Sequence, residues 1–220
     1  LKPAHLTFEQ AAAVPVAGLT ALQGLRDKGR IQPGQKVLIN GAAGGVGTFA
    51  VQIAKSFGAD VTGVCSTRNV DMVRSIGADH VIDYTKEDFA QSGQRYDLIL
   101  DNVGNRSLGD CRRVMVAKGI LVMNGGGSLK QNEGSWIGPV AGSIAALVLS
   151  PFVSQKLVSF LASINKQDLV VLKELIDAKK VTPVIDRCYG LIEVPEAIRY
   201  LEEGHARGKV VITLEHNSKT

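Results

Sequence analysis

The residues best able to do chemistry form a glycine-rich run, Asn40-Gly41-Ala42-Ala43-Gly44-Gly45-Val46-Gly47, between the apolar Lys36-Val37-Leu38-Ile39 and a helix-period stretch over 46–57. Against the dinucleotide fingerprint G-x-G-x-x-G, the matching positions are Ala42, Gly44 and Gly47, so alanine stands where the first glycine belongs. The flanks give the run its meaning. A strand-like segment leads in, and a helix with apolar Val46, Phe49, Ala50, Ile53, Ala54 and Phe57 leads out. A helix starting there aims unpaired N–H groups and the positive end of its dipole at a phosphate. Gly44 and Gly45 let a pyrophosphate reach the backbone, and Gly47 permits close helix-to-strand packing.

A second group follows at the end of the next strand, in Gly63-Val64-Cys65-Ser66-Thr67-Arg68-Asn69. An NAD site needs an acid there to accept from the ribose 2′-hydroxyl, and this segment has none. Ser66 and Thr67 can donate to a 2′-phosphate and Arg68 can pair with it through a charged fork, the pattern expected for NADP(H). Tyr84 is expected either beside the adenosine phosphate end or as a surface aromatic capping its strand. Asn102 to Gly104 and Gly125 to Gly126 each follow a strand, where open α/β sheets bind ligands, and are candidates to flank a nicotinamide and its ribose. A flexible loop is the other reading of the glycine triplet.

The elements that must position these groups alternate. Strands are expected at 37–40, 61–65, 80–82, 97–101, 120–124, 157–162 and 210–214, and helices at 46–57, 70–76, 86–91, 107–116, 167–178 and 195–203. Glycines mark the junctions at Gly58, Gly77 and Gly119. Thr7 is a candidate N-cap for a leading helix. This order predicts an α/β Rossmann-type, doubly wound parallel sheet with helices on both faces, spanning 1–180, and a return segment over 181–220 whose Pro183 favours an edge position.

Composition narrows the classes. With a net charge of +4 and no long basic block, a nucleic-acid surface is not expected. Cys65, Cys111 and Cys188 are far apart and outside metal spacings, so neither a disulfide framework nor a metal site is expected. A reducing, cytoplasmic location follows from those thiols, and no signal leader is visible from Leu1. The nearly apolar 137–153 carries two prolines and is short for a bilayer, so a buried or interfacial helix is expected instead of a membrane span. His5, His80, His205 and His216 lack partners at metal or triad spacing and are expected at the surface or at strand ends.

Read in order, Leu6-Thr7-Phe8-Glu9-Gln10-Ala11-Ala12-Ala13-Val14-Pro15-Val16-Ala17-Gly18-Leu19-Thr20-Ala21, then 42–47, 80–84, 101–104 and Ala206-Arg207-Gly208-Lys209-Val210-Val211, the chain resembles the medium-chain dehydrogenase/reductase superfamily. More narrowly it resembles the zinc-independent quinone oxidoreductase and enone reductase branch. The resemblance implies a nucleotide-binding part without the family's N-terminal lobe, against which 181–220 would pack and which would carry most substrate contacts. It further implies Thr20 near the nicotinamide, Ala43 to Val46 at the pyrophosphate, Ser66 and Arg68 at the 2′-phosphate, Asn102 near the nicotinamide ribose and Lys209 close to the pyrophosphate. The implied activity is NADPH-dependent hydride transfer to a quinone or an α,β-unsaturated carbonyl, with no catalytic side chain assigned. The alternatives are a fragment of a zinc-type alcohol dehydrogenase and an NADPH-binding module without turnover. A short-chain reductase is set aside because none of Tyr84, Tyr96, Tyr189 and Tyr200 has lysine four residues on. A homodimer is expected through an edge strand near Leu157 to Ala162.

Overall fold

The computed structural model describes residues 2–124 and 154–214. Gly125 and the apolar segment 137–153 lie outside the described residues. Among the described residues no helix is long and apolar enough to cross a membrane.

Two short helices lead in, α1 (Phe8–Ala13) and α2 (Pro15–Gln23). Thr7 caps α1 as expected, its Oγ1 accepting from the Gln10 amide at 3.1 Å while Gln10 Oε1 accepts from the Thr7 amide at 3.0 Å. The chain then alternates β1 (Lys36–Asn40), α3 (Gly45–Ser56), β2 (Asp60–Cys65), α4 (Val70–Ser75), β3 (His80–Asp83), β4 (Tyr96–Asp101), α5 (Leu108–Arg113), β5 (Met115–Asn124), β6 (Lys156–Phe160) and α6 (Lys166–Asp177). The six strands form one parallel sheet in the order β3-β2-β1-β4-β5-β6. After β3 the chain crosses back to the middle, so β1 and β4 are neighbours, with Asn40 opposite Asp101. Their connections leave toward opposite faces, opening a crevice at the carboxyl ends.

The pleat explains why β1 is apolar throughout. Val37 and Ile39, with Leu98 and Leu100 of β4, join Leu19, Leu22, Phe49, Ile53 and Leu172 on one face. Leu38 and Ile99 join Phe89, Tyr96, Met115 and Leu121 on the other. Each such fully buried side chain is worth about 1.5–3 kcal/mol of transfer from water.

Two expected helices are altered by local polar bonds and burial. Over 86–91 only Phe89–Gln91 forms one tight turn, because the Asp88 carboxylate accepts from the Ala90 amide at 3.0 Å and holds the backbone outside a longer helix. The helix expected over 107–116 ends at Arg113, since Val114 and Met115 are drawn into the core and Met115 already pairs with Tyr96 in β5.

The return segment builds β7 (Ile185–Gly190), α7 (Val194–Glu202) and β8 (Lys209–Thr213). β7 and β8 pair in parallel as a separate two-stranded sheet, so the strand expected near 210–214 stands apart from the large sheet.

Candidate binding cavity at the sheet switch point

A cavity of about 560 Å³ opens at the carboxyl ends of β1, β2, β4 and β5. Its floor is the glycine run. The turn out of β1 is made at Gly41, whose φ of +79° favours glycine. That is one residue ahead of the first position of the fingerprint, so the fully buried Ala42 meets no conformational penalty there. Helix α3 starts at Gly45 with Gly44 as an N-cap that has no side-chain bond, leaving its first amides open to a ligand. A Cβ on Gly47 would stand 2.0 Å from the Gly41 carbonyl oxygen, so only glycine allows the helix this close to the strand. The aliphatic stem of Lys209 packs on Gly45, and its Nζ lies 3.7 Å from where a Cβ on Gly45 would be.

On one side the cavity is lined by Cys65, Ser66, Arg68, Asn69 and Tyr84. Asn69 Nδ2 donates to Ser66 Oγ at 3.1 Å, so the serine proton is left to donate elsewhere. Asn69 Oδ1 is buried with no hydrogen-bond partner among the described residues. A buried orphan acceptor of this kind is an opening for a ligand donor or water. The Arg68 guanidinium donates to the carbonyl of His205. Burial pushes the Cys65 thiol up to about 11, with the Asp83 charge adding to it, so this cysteine stays protonated at neutral pH and is a poor nucleophile.

On the other side Asn40, Asn102, Asn105 and Asn124 meet. Asp101 organises them: its Oδ1 accepts from Asn40 Nδ2 at 2.9 Å and from the amides of Val103 and Gly104 at 3.0 and 2.9 Å. Asn102 donates through Nδ2 to the Asn40 carbonyl at 2.9 Å and accepts from Asn124 at Oδ1. This is a wall of fixed amides, suited to orienting a ligand.

Of the residues expected from sequence, Ala43, Gly44, Gly45, Val46, Ser66, Arg68, Tyr84 and Asn102 line this one cavity, and Lys209 stands beside Gly45. Thr20 does not line it; its hydroxyl donates to the Val16 carbonyl one turn back on α2 at 2.8 Å. Thr67 also faces away, donating to Asp83 Oδ2 at 2.6 Å, so its proton is engaged in tying β2 to β3. No role for the side chains of Asn40, Asn69 and Asn105 is readable from sequence, nor for Gly204, His205 and Ala206, which come from the return segment to form a wall. The only sequence signal is the spacing of Asn69, three residues past Ser66. Among the described residues no group of three or more His, Cys, Asp or Glu side chains is arranged to hold a metal.

A family model described as zinc-binding dehydrogenase matches residues 76–212. The described residues supply no ligand set for the metal in that description. The mouse (Mus musculus) protein named NAD(P)H oxidoreductase RTN4IP1, mitochondrial, is 38% identical over 97% of this chain and 57% of its own length. The NADPH-dependent alkenal/one oxidoreductase, chloroplastic, of Arabidopsis thaliana is 33% identical over 96% of this chain and 49% of its own. The solved quinone oxidoreductase of Coxiella burnetii superposes with a TM-score of 0.80 at 31% identity, covering 97% of this chain and 63% of that one. The chain thus spans roughly half to two thirds of the length of the proteins it matches. Their names overturn the cytoplasmic expectation, since the mouse, human and bovine relatives are mitochondrial and the Arabidopsis one chloroplastic. Free thiols report redox poise, which does not distinguish one reducing compartment from another. The parallel sheet, the glycine cradle and these matches together make the chain a member of the zinc-binding dehydrogenase family within the medium-chain dehydrogenase/reductase superfamily.

Proposed function

We propose that this chain is the nucleotide-binding part of an NADPH-dependent oxidoreductase that delivers hydride to a quinone or an α,β-unsaturated carbonyl. The observation that carries this reading is a single cavity with an open helix N-terminus at its floor and Ser66 and Arg68 at one end. When bound, the nicotinamide supplies the hydride. The open amides of α3, with Lys209 alongside, hold the pyrophosphate, and Gly44, Gly45 and Gly47 leave the room it needs. Ser66 and Arg68 hold the 2′-phosphate, Tyr84 lies against the adenosine end, and Asn102 orients the nicotinamide ribose. The fixed amides of Asn40, Asn102 and Asn124 keep that orientation without a mobile acid or base.

A further lobe completes the substrate side in this reading. The return segment leaves Leu191, Ile192, Ile198 and Leu201 exposed by half or more, an apolar surface suited to packing on such a lobe. Among the described residues β6 lies at one edge of the sheet, beside exposed Leu161 and Ile164, and in this reading it pairs with its twin in a homodimer. A monomer in sedimentation removes that assembly.

Titration with NADPH and NADH tests the cofactor assignment. NADPH is expected to bind more tightly, and Arg68→Ala is expected to weaken it about tenfold to a hundredfold while NADH changes little, the range for a charged hydrogen-bonded pair. Equal affinities in the unaltered chain would remove the assignment. Because the chain spans 57% of the mouse relative, a module that binds NADPH without turnover is the second reading. Turnover of a simple quinone by this chain joined to the N-terminal part of a relative separates the two, since this chain alone is expected to bind NADPH and turn over negligibly in either reading.

A further inference from the structure

One wall of the cavity comes from outside the large sheet. Gly204, His205 and Ala206 lie between α7 and β8, and three tethers locate them. The Gly208 amide donates to the Ala43 carbonyl at 2.8 Å, and Gly44 and Gly208 form an isolated parallel bridge. The His205 carbonyl accepts from Arg68. The third tether is a carboxylate on β7: Asp186 Oδ2 accepts from the Arg207 amide at 2.8 Å and from the Tyr200 hydroxyl at 2.5 Å. Arg187 closes over the Tyr200 ring, 3.9 Å from its centroid. One carboxylate therefore grips both the end of α7 and the backbone just past His205.

The tethers serve different parts of a dinucleotide. The Gly208 bonds secure the floor under the pyrophosphate, which NADH and NADPH share. The Asp186 bonds set where the His205 carbonyl stands, and that carbonyl engages one NH2 donor of Arg68. A guanidinium has five donors in a planar fork, so the others stay free for phosphate oxygens. Arg68 is an exposed side chain, and holding it in place beforehand removes the loss of rotamer freedom on binding.

We propose that Asp186 and Tyr200 are positioning residues for cofactor selectivity, fixing segment 204–207 so that the His205 carbonyl holds Arg68 ready for a 2′-phosphate. This rests on the NADPH reading above. The hydrogen bond to Asp186 raises the Tyr200 hydroxyl above its ordinary value, so it remains a donor through neutral pH. A latch that were only structural would weaken both nucleotides alike, since the wall also lies over the shared floor.

The test is the ratio of NADPH to NADH dissociation constants, measured on the full chain with Asp186→Ala, Asp186→Asn, Tyr200→Phe, Arg68→Ala and the Arg68→Ala/Asp186→Ala double variant. Asp186→Ala is expected to weaken NADPH about fivefold to tenfold and NADH less than about twofold. Asp186→Asn, which keeps an acceptor oxygen, retains most of the ratio, and Tyr200→Phe, which keeps the ring, shifts it in the same direction by less. In the double variant Asp186→Ala adds no further change of ratio to Arg68→Ala, because its effect passes through the arginine. Equal weakening of both nucleotides, or full additivity in the double variant, overturns the proposal. If Asp186→Ala fails to fold, Asp186→Asn and Tyr200→Phe decide in its place: an unchanged ratio in Tyr200→Phe overturns the proposal. An unaltered chain without NADPH preference overturns the parent reading. A preference that survives every Asp186 and Tyr200 substitution overturns this inference alone.

Discussion

Two strands of this molecule are nearly the same peptide with different fates. β1 is Lys36-Val37-Leu38-Ile39-Asn40 and β8 is Lys209-Val210-Val211-Ile212-Thr213. Both are parallel, five residues long and led by lysine. In β1 the three apolar residues are fully buried, with a strand on either side and side chains packed over both faces. In β8 only Val211 is buried, Ile212 is 39% exposed, and among the described residues β7 is the one strand paired with it. Local sequence therefore makes a strand in both places, and topology decides how strongly each is held. The cavity joins these two regimes: its floor is continuous with the core, and its far wall hangs on polar tethers.

The largest expected effect tests that contrast directly. Ile39→Ala removes a fully buried side chain from the middle of the large sheet and is expected to cost about 2–5 kcal/mol in chemical denaturation. Ile212→Ala, at the matching place in β8, is expected to cost less than about 1 kcal/mol. Equal losses at the two sites would mean that β8 belongs to the same cooperative core, and the division into two regimes would fail.

The contrast also explains what could be read in the sequence. Runs such as Val37-Leu38-Ile39 and Leu98-Ile99-Leu100 are apolar without interruption because they are buried on both faces, and a short run of that kind between glycines signals a parallel strand. The cradle was legible for the same reason, since the strand before it and the helix after it carry strong periodicities. Hydroxyl type and position, both visible in sequence, point Thr67 to the phosphate, whereas its bond to Asp83 depends on β3 lying beside β2. The wall at Gly204, His205 and Ala206 was not legible, because it reaches the cavity only through contacts spanning more than a hundred residues, such as Gly208 with Ala43 and Arg68 with His205.

An intermediate effect is expected at the joint between the regimes. Gly208 has a φ of +83°, and a Cβ there would meet the Val184 carbonyl oxygen at 2.4 Å. Gly208→Ala is expected to destabilise β7 and β8 locally by about 1–2 kcal/mol, from the left-handed backbone alone. Amide exchange reads this as roughly tenfold faster opening in 185–190 and 209–213, with protection in β1, β2 and β4 unchanged. Loss of protection spread over both sheets would show that the wall is not an independent unit.

The smallest effect concerns acid, and it falls on the strongly held side. Asp83, at the end of β3, accepts from the Thr67 hydroxyl at 2.6 Å and from the amide and hydroxyl of Thr85 at 3.0 and 2.7 Å. The Thr67 bond first, and those of Thr85 and Lys86 after it, hold the carboxyl well below its ordinary 3.8. A carboxyl depressed in the folded state contributes stability that is fully present above its ordinary value and is lost as pH falls below it. Thr67→Val removes the leading donor while keeping the shape of the side chain. The variant is expected to be less stable than the unaltered chain at about pH 7, with the difference holding through about pH 4, because protonation of the unfolded chain is common to both, and narrowing only well below 3.8, where the folded variant takes up its proton first. Denaturant midpoints across that range measure it, and a difference that stays constant or widens at its acid end would show that the Thr67 bond acts on packing and not on the charge of Asp83. Such a result would also loosen the link between β2 and β3, on which the contrast with the tethered wall depends.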